Sequence, residues 1–190
     1  MKLFKILCAL LVVSLFACKS DAEKLEIEND LKREKSHLKF SQANSSVRAG
    51  KYIIAEQLYD EAITIDPDFA LAYLGRAEFK KDQLKQYAGS ISDYNTSIFL
   101  IQSGKDFKGQ LLDCYAGRGD AKYKLGDYYG AMLDYDEAIK VNAHVSVIYM
   151  ERALIQYKYG KDIEGACRDW SKAGELGDRR AYEYIEMYCN

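Results

Sequence analysis

Residues 112–142 read LDCYAGRGDAKYKLGDYYGAMLDYDEAIKVN. The stretch divides into two amphipathic helices joined by a tight turn at Leu125-Gly126-Asp127. Tyr115, Gly119 and Lys122 recur at three-to-four spacing on one side of the first helix, and Ala131, Tyr135 and Ala138 do so on the second. Two helices of about twelve residues cannot bury their apolar stripes alone. The stretch therefore predicts neighbours built the same way.

The chain supplies them. Tyr59, Tyr94, Tyr135 and Trp170 are separated by 35, 41 and 35 residues, and each follows a small residue (Ala55, Ser90, Ala131, Ala166) by four. Tyr73, Tyr115 and Tyr149 form a second ladder, spaced by 42 and 34. A helix–turn–helix unit of about 34 residues is repeated. The long interval in both ladders has one cause, extra residues between Leu100 and Gln110.

Composition agrees with helices. The 190 residues hold one proline, 13 glycines and 16 tyrosines and are rich in Ala, Leu, Lys and Glu. Basic and acidic residues number 27 and 29. Without a leader that holds Lys2 and Lys5 the balance becomes 25 to 29, mildly acidic. That argues against nucleic acid as a partner, because phosphate binding needs a basic footprint.

Met1 to Ala17, MKLFKILCALLVVSLFA, carries two lysines and then an apolar run from Ile6 that is too short to span a bilayer comfortably. It has the layout of a secretory signal. Leu15-Phe16-Ala17-Cys18 resembles the lipobox of bacterial lipoproteins, with Phe16 where a small or medium residue is usual. The resemblance implies that the leader is cut before Cys18 and that Cys18 is acylated. A plain signal peptide and an uncleaved anchor are the alternatives. Two or more acyl chains hold a protein at a membrane where one does not. Lys19 after the cysteine permits outer-membrane delivery by the same resemblance, and Lys19-Ser20-Asp21 with Glu23 is similar to the export tag of Bacteroidetes surface lipoproteins. Residues 18–35 then read as a lipidated, charged tether, a solvated spacer or frayed helix that holds the array off the membrane.

Four units follow, at 36–69, 70–102, 112–145 and 146–177, with a capping helix at 178–190. In the first, the leading helix is worn, with Lys39, Gln42, Ala43 and Ser46 at the positions that elsewhere carry aromatic and small residues. Terminal repeats of solenoids are often atypical. The rest is sharp: Gly50-Lys51-Tyr52, Ala55, Tyr59, Ala62 and Asp66-Pro67. In the second, the turn from Lys81 to Tyr87 has one extra residue and no glycine, and Ser90 and Ser97 replace alanine. Their hydroxyls can bond back to the carbonyl four residues earlier. The inserted connection QSGKDFKGQ (Gln102 to Gln110) is a surface loop carrying Phe107, which also suits contact with a partner. The fourth unit carries Tyr149, Arg152, Ala153, Gly160, Ala166, Trp170 and Ala173.

This pattern resembles the tetratricopeptide repeat (TPR). Tyr115, Arg118, Gly119, Lys122, Ala131 and Tyr135 keep the family's spacing, with Tyr for Trp, Arg for Leu, Lys for Tyr, and Ala143 for the usual proline. The fold class it implies is all-α, a TPR solenoid of about four repeats closed by a C-terminal helix. Such arrays bind segments of other proteins in a concave groove lined by the first helix of each pair. Spacing transfers the groove positions onto Leu74, Glu78 and Lys81; Asp120, Tyr123 and Lys124; and Leu154, Tyr157 and Lys158. One subfamily grips a partner's C-terminal carboxylate with Lys and Asn, for which this chain has Ala116 and Asp120. No such clamp is expected.

No catalytic constellation is visible. His37 and His144 have no cysteine or paired carboxylate at metal-ligand spacing, and no cofactor or metal site is expected. Gly117-x-Gly119 lies within a helix and reads as close packing. Asp134, Asp136 and Glu137 read as a solvated helix face. The thiols outside the leader are Cys114, Cys167 and Cys189, and an exported chain meets an oxidising compartment. A Cys167–Cys189 bridge between the last repeat and the capping helix, or three buried thiols, are both open readings. The function expected is a non-enzymatic interaction module, a scaffold or adaptor anchored by lipid at the cell envelope. The alternative is a structural subunit of an outer-membrane assembly or uptake complex.

Overall fold

The structure is a computed structural model that describes residues 20–104 and 107–189. The leader and Cys18 lie outside the described residues. Nine α-helices are present and no strand, among the described residues. They are α1 (Asp21–Arg48), α2 (Tyr52–Ile65), α3 (Ala70–Phe79), α4 (Tyr87–Ser103), α5 (Leu111–Leu125), α6 (Tyr128–Val141), α7 (Ser146–Ile155), α8 (Ile163–Glu175) and α9 (Arg180–Tyr188). Consecutive helices pack as pairs α1–α2, α3–α4, α5–α6 and α7–α8, each pair resting on the next, with α9 on α8. The pairs are the four repeats, and α9 is the closing helix.

The charged tether is not separate from the first repeat. α1 runs 28 residues without a break at 35–36. A capping box starts it: the Ser20 hydroxyl accepts from the Glu23 amide, and the Glu23 carboxylate accepts from the Ser20 amide at 2.8 Å. Ion pairs one turn apart, such as Lys32–Glu28 at 3.1 Å, run along it. Ser36 is its first buried residue, donating to the Ala62 carbonyl of α2 at 2.9 Å. Packing therefore holds the second half of α1, and the first half continues it into solvent.

The turns fall into two kinds. In repeats one and three a glycine leaves the first helix at positive φ, Gly50 at 70° and Gly126 at 84°. In repeats two and four the first helix widens into a π-turn, Lys80–Leu84 and Gln156–Gly160. A lysine takes the left-handed position in each, Lys85 at φ 56° and Lys161 at φ 53°. The extra residue seen near Lys81 thus has a twin in repeat four. Tyr73 to Ser90 and Tyr149 to Ala166 are both 17 residues, against 16 from Tyr115 to Ala131. Gly160 is the last residue of the π-turn in repeat four.

Aromatic side chains at the centre of each second helix are buried: Tyr59, Tyr94, Tyr135 and Trp170 are at most 2% exposed. Close approach depends on glycines in the first helices, and a Cβ on Gly75 would stand 2.7 Å from the Phe40 ring. A Cβ on Gly117 would stand 2.3 Å from the Tyr94 hydroxyl, and one on Gly119 would stand 2.9 Å from the Tyr135 ring. Ser90 bonds back to Tyr87, but Ser97 does not bond within its own helix. It donates across the pair to the Ala70 carbonyl at 3.0 Å.

Asp134 is not on a solvated face, although Asp136 stays half-exposed. Asp134 is 2% exposed, and its two oxygens take Arg118 at 3.0 and 2.6 Å and Lys122 at 2.9 Å. The same bidentate contact joins Arg76 to Asp93 and Arg152 to Asp169. Each arginine also reaches back to the preceding repeat, at Asp60, Asn95 and Asp136 respectively. Each lies over the ring of the tyrosine three residues before it, Tyr73, Tyr115 and Tyr149. The arginine that departs from the family's leucine is therefore an inter-repeat tie.

α4 extends through Ser103, so the inserted loop is shorter than expected. Phe107, at φ 63° and 39% exposed, lines a cleft with Asn29, Arg33, His37 and Phe69.

Candidate peptide-binding groove

The first helices α3, α5 and α7 carry the positions expected to face a ligand, and the structure sorts those positions into three groups. Lys81, Asp120, Tyr123 and Lys124 come together. With Asp82, Lys85, Tyr87, Tyr135 and Glu151 they line a cavity of about 230 Å³ where repeats two, three and four meet. Glu78 lies apart, in a second recess between repeats one and two with Asn44, Arg48 and Tyr59. Lys158 is exposed at the far end.

The third group is not open to a ligand. Leu74 is 6% exposed and belongs to the central buried cluster with Tyr94, Ile98 and Cys114. Its expected groove role is a correction: repeat three packs closely enough on repeat two, with Gly117 against Tyr94, to enclose that position. Leu154 is partly buried against the C-terminal cluster. Tyr157 lies against Trp170 at 5.7 Å and against Tyr188 of α9 at 4.4 Å, so the closing helix covers it.

The cavity is charged on both sides. Lys81 bridges Asp120 at 3.2 Å and Asp82 at 3.4 Å. Burial works against its ammonium, but the two carboxylates more than offset this and its pKa is raised. Asp120 also accepts the Tyr135 hydroxyl at 2.8 Å. Glu151 forms the opposite wall; burial and then the charge of Asp120 push its carboxyl upward. Burial followed by Asp113 does the same to Glu78. Aromatic rings close the turn end. Tyr128 stacks on Tyr159 at 3.5 Å, Tyr123 stands edge-on to Tyr159 at 6.3 Å, and the Lys124 ammonium lies over the Tyr123 ring.

Four of these lining or rim residues, Glu151, Lys85, Tyr128 and Tyr159, escape the sequence reading. For Glu151 the signal exists: Glu151, Leu154 and Lys158 are spaced by three and four on one helix face. Lys85 and Tyr159 sit in the two π-turns, whose geometry a regular repeat does not anticipate. Among the described residues no group of three or more His, Cys, Asp or Glu could hold a metal ion. Cys167 and Cys189 are joined in a disulfide, with Cα atoms 5.8 Å apart, and Cys114 is a buried free thiol.

Helix pairs of this length in a stacked array have the fold of a tetratricopeptide-repeat solenoid. No family model matches the chain. A TPR repeat-containing protein of Methanocaldococcus jannaschii is 27% identical over 151 residues, which is 76% of this chain and 24% of that protein. The chain thus spans about a quarter of that relative's length. Among solved structures, the crystal structure of MamA superposes with a TM-score of 0.71 at 17% identity, covering 82% of this chain and 81% of that one. The first TPR of Spaghetti (RPAP3), bound to the HSP90 peptide SRMEEVD, does so with a TM-score of 0.60 at 23% identity, covering 67% and 94%.

Proposed function

We propose that this chain is a protein-interaction module that takes an extended segment of a partner protein into the cavity between repeats two, three and four. We propose further that a lipid on Cys18 holds it at the cell envelope, at the outer membrane. One observation carries the groove reading: Lys81, Asp120, Tyr123, Lys124 and Glu151 converge on one cavity from three successive first helices. No single repeat builds that surface, and rigid helices fix it before a partner arrives. The peptide held by the solved TPR of Spaghetti supports this mode of binding on a similar fold. A carboxylate clamp is a poor fit here. Ala116 offers no charge, and Asp120 is already tied to Lys81 and Tyr135, so an anionic chain end would face Asp120 and Glu151.

The lipid anchor rests on Leu15-Phe16-Ala17-Cys18. Affinity capture of the native protein from detergent-extracted membranes, followed by mass spectrometry, tests the groove. Asp120→Arg combined with Lys124→Glu should reduce recovery of the partner at least tenfold, about 1.4 kcal/mol. Equal recovery would remove the groove from the account. The Cys18→Ser variant should leave the membrane fraction; if it stays, the lipid anchor is wrong.

A further inference from the structure

The closing helix is weakly held by its own contacts. α9 has nine residues, and a helix that short does not persist alone in water. Ala181 is its one fully buried residue, while Tyr182 and Met187 are 58% and 60% exposed. Tyr184 stacks on Trp170 at 5.1 Å, and the Tyr182 hydroxyl donates to the Gly174 carbonyl at 3.2 Å. The ion pair of Arg180 with Asp178 is local to the entering turn and ties α9 to no other helix. Tyr188 adds ring contacts with Tyr157 at 4.4 Å and Trp170 at 5.9 Å, and Ile185 packs on the same cluster; a further tie is covalent. The disulfide joins Cys167, in the middle of α8, to Cys189 at the end of α9, 22 residues on. Both cysteines line an open surface recess with Glu164, Arg168 and Ser171, within reach of a small reductant.

We propose that the Cys167–Cys189 disulfide is a redox latch on the closing helix, holding α9 over Trp170 and Tyr157 when intact and releasing it when reduced. In the step, a dithiol reductant gives up two electrons and two protons and closes to its own disulfide. The Sγ–Sγ bond breaks, and Cys167 and Cys189 each leave as a thiol. Release uncovers Tyr157 and the Trp170 ring at the C-terminal end of the array. Cys114 takes no part: it is buried, and burial pushes its thiol up to about 11.

The full chain contains its own reporter, since Trp170 is the single tryptophan. Adding dithiothreitol should move Trp170 emission to the red. Amide exchange of residues 181–188 should rise about a hundredfold while residues 111–141 keep their protection. Cys189→Ser should reproduce both changes without reductant; if that variant does not fold, reduction of the unmodified chain still decides. Unchanged exchange at 181–188 after reduction, or three free thiols in the unreduced protein outside the leader, overturns the proposal.

Discussion

At the scale of single residues, the arginine ties join each repeat to the one before it. Arg118 meets Asp134, which is 2% exposed, with two hydrogen bonds, and reaches Asn95 of the preceding repeat at 2.7 Å. Removing one partner of a buried pair leaves an uncompensated charge. Arg118→Met is expected to lower unfolding free energy by about 3 kcal/mol by denaturant titration, with Lys122 preventing a larger loss. The double change Arg118→Leu with Asp134→Leu should recover much of that, since apolar replacement of a buried pair is often neutral. Gly117 makes a different point. Its α-carbon lies under the Tyr94 hydroxyl, a buried ring, so Gly117→Ala should cost about 1–3 kcal/mol despite better helix propensity. If thermal denaturation shows Gly117→Ala stabilised, the close packing of repeats two and three is not as described. Tyr94 also illustrates a cost of irregular repeats. Tyr59 and Tyr135 donate to Asn44 and Asp120, each 15 residues earlier. The extra residue in repeat two puts Phe79 at that distance from Tyr94, and the hydroxyl has no partner. The Trp170 Nε1 in repeat four is left the same way, with Ile155 fifteen residues before it.

At the scale of elements, the two π-turns are where the chain leaves the regular repeat. Lys85 and Lys161 hold a left-handed conformation that costs an L-residue about 1–2 kcal/mol and glycine nothing. Glycine gives some of this back through its freedom in the unfolded chain. Lys85→Gly and Lys161→Gly are each expected to stabilise by about 0.5–1 kcal/mol, a gain of several degrees in Tm for the pair combined. Side-chain caps do not follow the kind of turn. Gly126 is followed by Asp127, whose carboxylate accepts the Gly130 amide at 2.9 Å as the cap of α6. Asp162 repeats the device with Gly165 at the start of α8. Asp127→Ala should cost about 1 kcal/mol by loss of that cap, a difference that chemical denaturation resolves.

At the scale of the whole molecule, the groove is built from carboxylates and lysines brought close by stacking. Glu151 is the informative one. Its folded pKa is raised, first by burial and then by Asp120, so the native state favours its protonated form. Such a group contributes stability below the ordinary carboxylate range, and that contribution is lost as pH rises through its folded value. Glu151→Gln removes the penalty. It should raise Tm at neutral pH by about 1–2 °C, and the advantage over the unmodified chain should vanish near pH 4. An advantage that persisted at low pH would assign the effect to something other than titration.

The helical class and the solenoid of paired helices are legible in the sequence because solenoid stability is a sum over local units and their nearest neighbours. The spacing of Tyr59, Tyr94, Tyr135 and Trp170 records that directly. The residues that converge on the cavity are partly legible too, since the resemblance to the repeat family places Asp120, Tyr123 and Lys124 on the groove side. Tertiary structure alone decided which positions were left free. Leu74 is enclosed because Gly117 lets repeat three approach repeat two closely, and Tyr157 is covered because α9 lies on it. Asp134 reads as surface on its own helix and becomes a buried anion only when Arg118 arrives from the paired helix. Periodicity reports which face of a helix is apolar; what stands against that face depends on how the neighbouring helix is placed, and one inserted residue per turn is enough to change it.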